Sequence, residues 1–205
     1  MCPPEGDAGT GMVATNSVAP KTGNLSAGTS TFAMLVLEKP LSKLHREIDM
    51  VTTPGGFPVA MAHANNGTSD LNAWVNLFGE FAGKAGFAID RNSLFSLLYS
   101  VSLEGKPDCG GLMSCNYHSG EGVTDFDSGL PLFLHRPDSP VHLADFMRTH
   151  MMSAMATLKI GMDILRSENV RIDKIFGHGG YFKTPVAGQR ILSAAIGAPV
   201  SGMET

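Results

Sequence analysis

The apolar residues of this chain change their spacing at about residue 69. Between residues 24 and 63 they come in short runs bounded by Gly, Pro and Ser, and beyond residue 69 they recur every three or four positions. Short bounded runs read as strands, whereas the longer period lines up one side of a helix. The pattern predicts a strand pair over 24–30 and 31–38, joined at Gly28-Thr29-Ser30, and further strands near 47–52 and 58–63. A short helix over 8–18 precedes this β-meander.

Helical spacing sets in over 69–85, where Leu71, Trp74, Val75, Phe78 and Phe81 share a face, and again over 91–103 with Leu94, Leu97, Leu98 and Val101. Asp90 stands where a short carboxylate can accept the free N–H groups of a first helical turn. The stretch 105–138, rich in Gly, Pro and Asp, is expected to be irregular and to face a cleft, with strand-like runs at 112–117 and 130–135. The longest helix spans 140–167, its stripe Leu143, Met147, Met151, Ala154, Leu158, Gly161 and Leu165 advancing by threes and fours. Met152, Met155 and Met162 join that stripe as core filling rather than a soft-metal site, because the flexible thioether suits irregular gaps. After it come an apolar strand, the glycine turn at Gly179-Gly180 and a helix that Thr184 caps and Pro185 starts, then a short strand near 198–201. Strands first and a β-turn-α unit last describe an α/β or α+β lobe.

Composition narrows the chemistry. With 205 residues and 43% hydrophobic content the chain can bury one sizeable core. A net charge of −4, with no dense Lys or Arg run, argues against a nucleic-acid-binding face and for small-molecule chemistry. Cys2, Cys109 and Cys115 are odd in number and lack CxxC spacing, so neither a disulfide framework nor zinc is expected and a reducing cytoplasm fits. The seven histidines show neither His-x-His nor His-x-x-x-His spacing, so no metal site is expected from them. No apolar run approaches 18 residues and no leader opens the chain, so a membrane partner is not expected.

Three segments could carry chemistry. In Gly6-Asp7-Ala8-Gly9-Thr10-Gly11 the carboxylate serves either as an N-cap or as a general base. In Asn24 to Phe32 the small-residue turn is either a plain hairpin or a nest whose N–H groups, with the hydroxyls of Thr29 and Ser30, take a phosphate. At Gly179-Gly180 the backbone can approach a ligand closely; the spacing is not GxGxxG, so a dinucleotide fold is not indicated.

In that order, these segments resemble the C-terminal lobe of the FGGY carbohydrate kinases. Gly6-Asp7 is similar to the family's catalytic Asp segment, and Asn24 to Phe32 to its second phosphate motif, 22 residues separating Asp7 from Thr29. Tyr117-His118-Ser119-Gly120-Glu121 resembles a Tyr-x-Ser-Gly-Glu stretch, and Gly179 to Pro185 the adenosine motif Gly-Gly-Gly-Ser-Lys-Asn-Pro. The resemblance implies a lobe of the actin and RNase H-like ATPase fold, with a mixed sheet flanked by helices. It implies ATP with Mg²⁺ as cofactors and phosphorylation of a ketose or polyol hydroxyl. Asp7 would be the base and touch the sugar, as would Phe32; Gly28, Thr29 and Ser30 would hold phosphates; Gly179, Gly180 and Thr184 would line the adenosine pocket, with Ser69 and Asn72 on the helix beside it. Thr184 replaces the usual Asn, and Tyr181-Phe182 replace Gly-Ser, from which a narrower adenine pocket is expected. Gly122-Val123-Thr124 and Leu134 also depart from the pattern. The family's first phosphate loop, N-terminal sugar pocket and last helix have no counterpart in residues 1–205, so the chain reads as one domain truncated at both ends. Either a homo-oligomer or a separate N-terminal lobe would have to supply the second wall. The reading from another class is a nucleotide-binding or interaction lobe without catalysis.

Overall fold

The computed structural model describes residues 7–202, and for Asp7 and Ala8 the backbone alone. In chain order the elements are α1 (Asp7–Ala14), β1 (Thr22–Ala27), β2 (Thr31–Val36), β3 (Asp49–Thr52), β4 (Pro58–Ala64), α2 (Ser69–Lys84), α3 (Arg91–Val101), β5 (Leu112–Cys115), β6 (Leu132–His135), α4 (Leu143–Ser167), β7 (Lys174–His178), α5 (Ala187–Ile196) and β8 (Val200–Gly202). The main sheet runs β3-β4-β2-β1-β7-β8, with β5 and β6 as a separate pair. The first four strands pair antiparallel, but β4 inserts between β2 and β3, which corrects the expected meander; β7 lies parallel to β1 and β8 parallel to β7. Parallel neighbours need a long crossover, and the helices α2 to α4 supply it between β4 and β7.

One face of the sheet is the core. Leu25, Leu35, Ala60, Ala62 and Ile175 meet the buried stripe of α4, Met147, Met151, Met155, Leu158, Met162 and Leu165. The methionines therefore fill the interior, as their spacing implied. Gly161 lets α4 lie against the sheet: a Cβ there would stand 2.5 Å from that of Ala62. On the other face Met12 of α1 packs with Met34, Val36 and Val59. α1 ends where Asn16 takes positive φ, and Val13, Asn16 and Val18 lie beside Thr53 and Phe57, at the β3–β4 turn. The first turn of α1 therefore points toward the opposite end of the sheet, where β1 gives way to β2.

Several expected details are corrected. Phe81 and Leu97 leave the predicted apolar faces of α2 and α3 and are 67% and 53% exposed. Leu143 is exposed as well, so the buried stripe of α4 starts at Phe146 and Met147. The last helix does not begin on Thr184-Pro185: a single 3₁₀ turn, Gly180–Phe182, opens on the second glycine, and Val186, at φ 69°, precedes α5. Asp90 does cap α3, accepting the N–H groups of Asn92 and Ser93.

Candidate nucleotide and phosphate site

The parallel pairing of β1 with β7 brings two glycine turns side by side. Ser26 is in register with His178, so Ala27 and Gly179 leave their strands together. At Gly179 φ is +103°, and a Cβ would come within 2.5 Å of the Ala27 carbonyl oxygen. Only glycine can occupy both that conformation and that space.

The other turn is tight, with Gly28 N–H donating to the Ser30 carbonyl at 3.1 Å. It is strapped to the approach of α2: Gly67 N–H donates to the Thr29 carbonyl at 2.7 Å, and Thr68 donates to the Gly28 carbonyl from its N–H at 2.9 Å and from Oγ1 at 3.0 Å. Both carbonyls thus point at residues 67 and 68. Across a trans peptide the N–H lies opposite the C=O, and the chain has no cis bonds among the described residues. The N–H groups of Thr29 and Ser30 therefore face away from the strap, on exposed residues. A turn with outward N–H groups beside a helix start can take an anion.

Beneath the strap lies a buried carboxylate. Glu121 is 1% exposed, and its Oε2 accepts Asn65 N–H at 2.9 Å, Asn66 N–H at 3.3 Å and Asn66 Nδ2 at 3.2 Å. Asn66 in turn accepts Ser119 N–H on Oδ1, and Asn116 Nδ2 donates to the carbonyls of Asn66 and Gly67. The irregular 116–121 stretch thereby fixes residues 65–67, which fix the Gly28-Thr29 turn. Glu121 and Asn66 carry no local signal of this role, since the partners stand 55 residues apart.

A second buried cluster anchors the first turn of α2. Asp70 accepts from His150 Nδ1 at 2.6 Å, from His118 Nε2 at 3.3 Å and from Trp74 Nε1 at 3.2 Å. Burial pushes the Asp70 carboxyl up, but the bonds and charge of His150, with His118 and Trp74, more than offset it and hold the group below its ordinary value. A carboxylate lowered on folding contributes stability that is full above its unfolded value, about 3.9, and is lost as pH falls through the folded one. The melting-temperature gap between wild type and Asp70→Asn is therefore expected to be widest near neutrality and to close as pH falls below about 4.

The expected site residues divide by exposure. Thr29, Ser30, Gly179 and Gly180 are exposed, and Gly28, Phe32, Ser69 and Asn72 partly so; Asn72 Oδ1 faces Arg91 Nη2 at 3.4 Å. Thr184 is 5% exposed and lies behind the turn. Tyr181 is fully buried, donates to the Met151 carbonyl at 2.9 Å and packs edge-on against Tyr99. The side chain of Asp7 lies outside the described residues. A groove of about 980 Å³ opens between residues 37–43 and 167–171, at the end of the sheet away from both turns. There Glu168 holds Ser42 and His45; bonds from His45 first, then from Ser42, keep its carboxyl at about 2. Among the described residues no three His, Cys, Asp or Glu side chains gather as metal ligands, and no helix is long and apolar enough to cross a membrane.

The six-stranded mixed sheet flanked by helices has the actin and RNase H-like fold of the kinases on which it superposes. Residues 23–205 match the model of the C-terminal domain of the FGGY family of carbohydrate kinases, and the chain belongs to that family. Asp7 precedes the matched range. Xylulose kinase from Bifidobacterium adolescentis superposes with a TM-score of 0.70 at 19% identity, over 96% of this chain and 36% of that one. Xylulose kinase from Rhodospirillum rubrum gives 0.73 at 17%, over 95% and 37%. Plasmodium falciparum glycerol kinase with ADP gives 0.69 at 11%, over 98% and 38%. The chain thus spans well under half the length of these kinases. No curated protein matches it.

Proposed function

We propose that the chain is the catalytic and nucleotide-binding lobe of an ATP-dependent kinase acting on a hydroxyl of a ketose or polyol. The observation that supports this most is the placement of two glycine turns at one sheet end, one with outward N–H groups and the other too close-packed for any side chain. The turns suit a nucleotide: Gly28, Thr29 and Ser30 would hold the terminal phosphates, and Gly179 and Gly180 the adenosine, with Ser69 and Asn72 at its edge and Thr184 behind. ATP would supply the phosphoryl group, and Mg²⁺ bound with it would offset the charge of its phosphates. Asp7 would take the hydroxyl proton as that oxygen bonds to phosphorus and the bond to ADP breaks. Phe32 would flank the acceptor.

Because positioning catalysis needs both walls of a cleft, a second lobe, or another copy of the chain, would complete the enzyme. We assign it to the cytoplasm, where Cys109 and Cys115 would stay free thiols. In a coupled assay with MgATP and D-xylulose, the 205-residue chain is expected to show no turnover, and the chain joined to an FGGY N-terminal lobe to gain it. Absence of phosphoryl transfer to every ketose and polyol by the folded, joined protein would contradict the kinase reading and leave a lobe that only binds.

A further inference from the structure

The groove of about 980 Å³ at the sheet end away from both glycine turns is built from two segments, residues 37–43 after β2 and residues 167–171 between α4 and β7. Its size is that of a small-molecule pocket, typically about 300–1,000 Å³. The deep part is apolar: Leu37 is fully buried, and Leu41 and Val170 pack against the main core. The two segments are tied together by Glu168, whose Oε2 accepts Ser42 N–H at 2.9 Å and whose Oε1 accepts Ser42 Oγ at 2.9 Å and bonds His45 Nε2 at 2.8 Å. Arg46 braces the same loop from its other side, donating to the Gly122 carbonyl at 3.0 Å. The groove is therefore formed in advance, and a ligand entering it has little chain to order.

The charges around it are not balanced. Of the acidic residues in the lining, Glu168 is committed to Ser42 and His45, and Glu38 is paired with Lys21 at 3.0 Å. The basic residues are Lys39, Lys43 and Arg171. Arg171 bonds Asp173 through Nε at 2.7 Å, and the ammonium groups of Lys39 and Lys43 have no ion-pair partner among the described residues. A surplus of positive charge thus gathers around one cavity of a chain whose net charge is −4. Ammonium and guanidinium groups only donate, so the partner they lack is an acceptor, and an anionic one makes the strongest bonds to them.

We infer that this groove is a second ligand site, separate from the nucleotide site, for a small compound with two or more negative charges, which Lys39, Lys43 and Arg171 hold over the apolar floor. Carboxylate and phosphate oxygens both suit these donors. A nucleotide that carries Mg²⁺ on its phosphates has little free charge left and is not the compound that the groove selects. The site lies at the opposite end of the sheet from the glycine turns, so its ligand is not a reactant of phosphoryl transfer, and the inference stands apart from the kinase reading.

The test is NMR of the isotope-labelled 205-residue chain, titrated at constant ionic strength with inorganic phosphate, with citrate and with MgADP. Phosphate or citrate is expected to shift the amides of residues 39–43 and 167–171, the stronger response telling a phosphate ligand from a carboxylate one, and MgADP to leave those amides unmoved. Lys39→Gln combined with Lys43→Gln, both at exposed positions, should weaken the response at least roughly 10-fold, the scale of a lost hydrogen bond to a charged group. Lys84→Gln, on the exposed end of α2, should leave it unchanged. No shift with either anion at millimolar concentration, an equal shift with chloride, or an unchanged response in the double variant would overturn the inference. Phosphate shifts at Thr29 and Ser30 in the same spectra report on the nucleotide site alone, so the two readings stand or fall separately.

Discussion

Replacing Asp7 by asparagine in the joined two-lobe protein is expected to lower turnover by roughly 10²- to 10⁴-fold, the range a positioned general base contributes. Asparagine keeps the size of the side chain and serves a helix start about as well as aspartate. The helix begins at residue 7 itself, so the substitution adds no backbone demand. Melting temperature and the KM for ATP should therefore stay near wild type while kcat falls. If Asp7 is only a helix-start residue the order reverses: Asp7→Asn keeps its activity, and Asp7→Ala costs about 1 kcal/mol of stability. Melting curves and initial rates for the two variants separate these outcomes.

The largest effect on stability is expected at Glu121. In Glu121→Ala the two backbone N–H groups of Asn65 and Asn66 and the Asn66 amide lose their shared acceptor, and a buried donor left unpaired costs about 1–3 kcal/mol. The sum expected is about 3–5 kcal/mol, since relaxation and water recover part of the loss. Glu121→Gln keeps an oxygen acceptor and the volume, and should lose about half as much. Denaturant unfolding gives the stabilities. Hydrogen exchange at Gly67 and Thr68 tells whether the loss reaches the phosphate turn: faster exchange at these amides in Glu121→Ala is the expected result, and unchanged exchange would mean that Glu121 supports only its own loop.

Local chemistry made much of this legible in advance. The strand runs, the three-and-four stripe of α4 from Met147 onward and the Asp90 cap each depend on residues close in sequence, and each appears in the structure. Where the reading missed, a distant contact outweighed a local preference. Thr184 and Pro185 are good helix starters, yet Tyr181 is drawn into the core by the Met151 carbonyl and Tyr99, so the chain makes a 3₁₀ turn before α5 can begin. Phe81 sits at helical spacing from Val75 and Phe78, but no element among those described covers it. The glycine turns could be named from sequence, but their adjacency could not, because the β1–β7 pairing closes over some 150 residues. The same holds for Glu121, whose partner Asn66 stands 55 residues away in sequence.

The central claim is that both glycine turns belong to one nucleotide site. Paramagnetic MnADP added to the isotope-labelled chain tests it most directly, because the metal broadens amides near the bound phosphates and leaves distant ones sharp. Loss of the Thr29, Ser30, Gly179 and Gly180 signals together, with those of residues 37–43 and 167–171 intact, is the predicted result. Broadening at the far groove, or at one turn without the other, would contradict it.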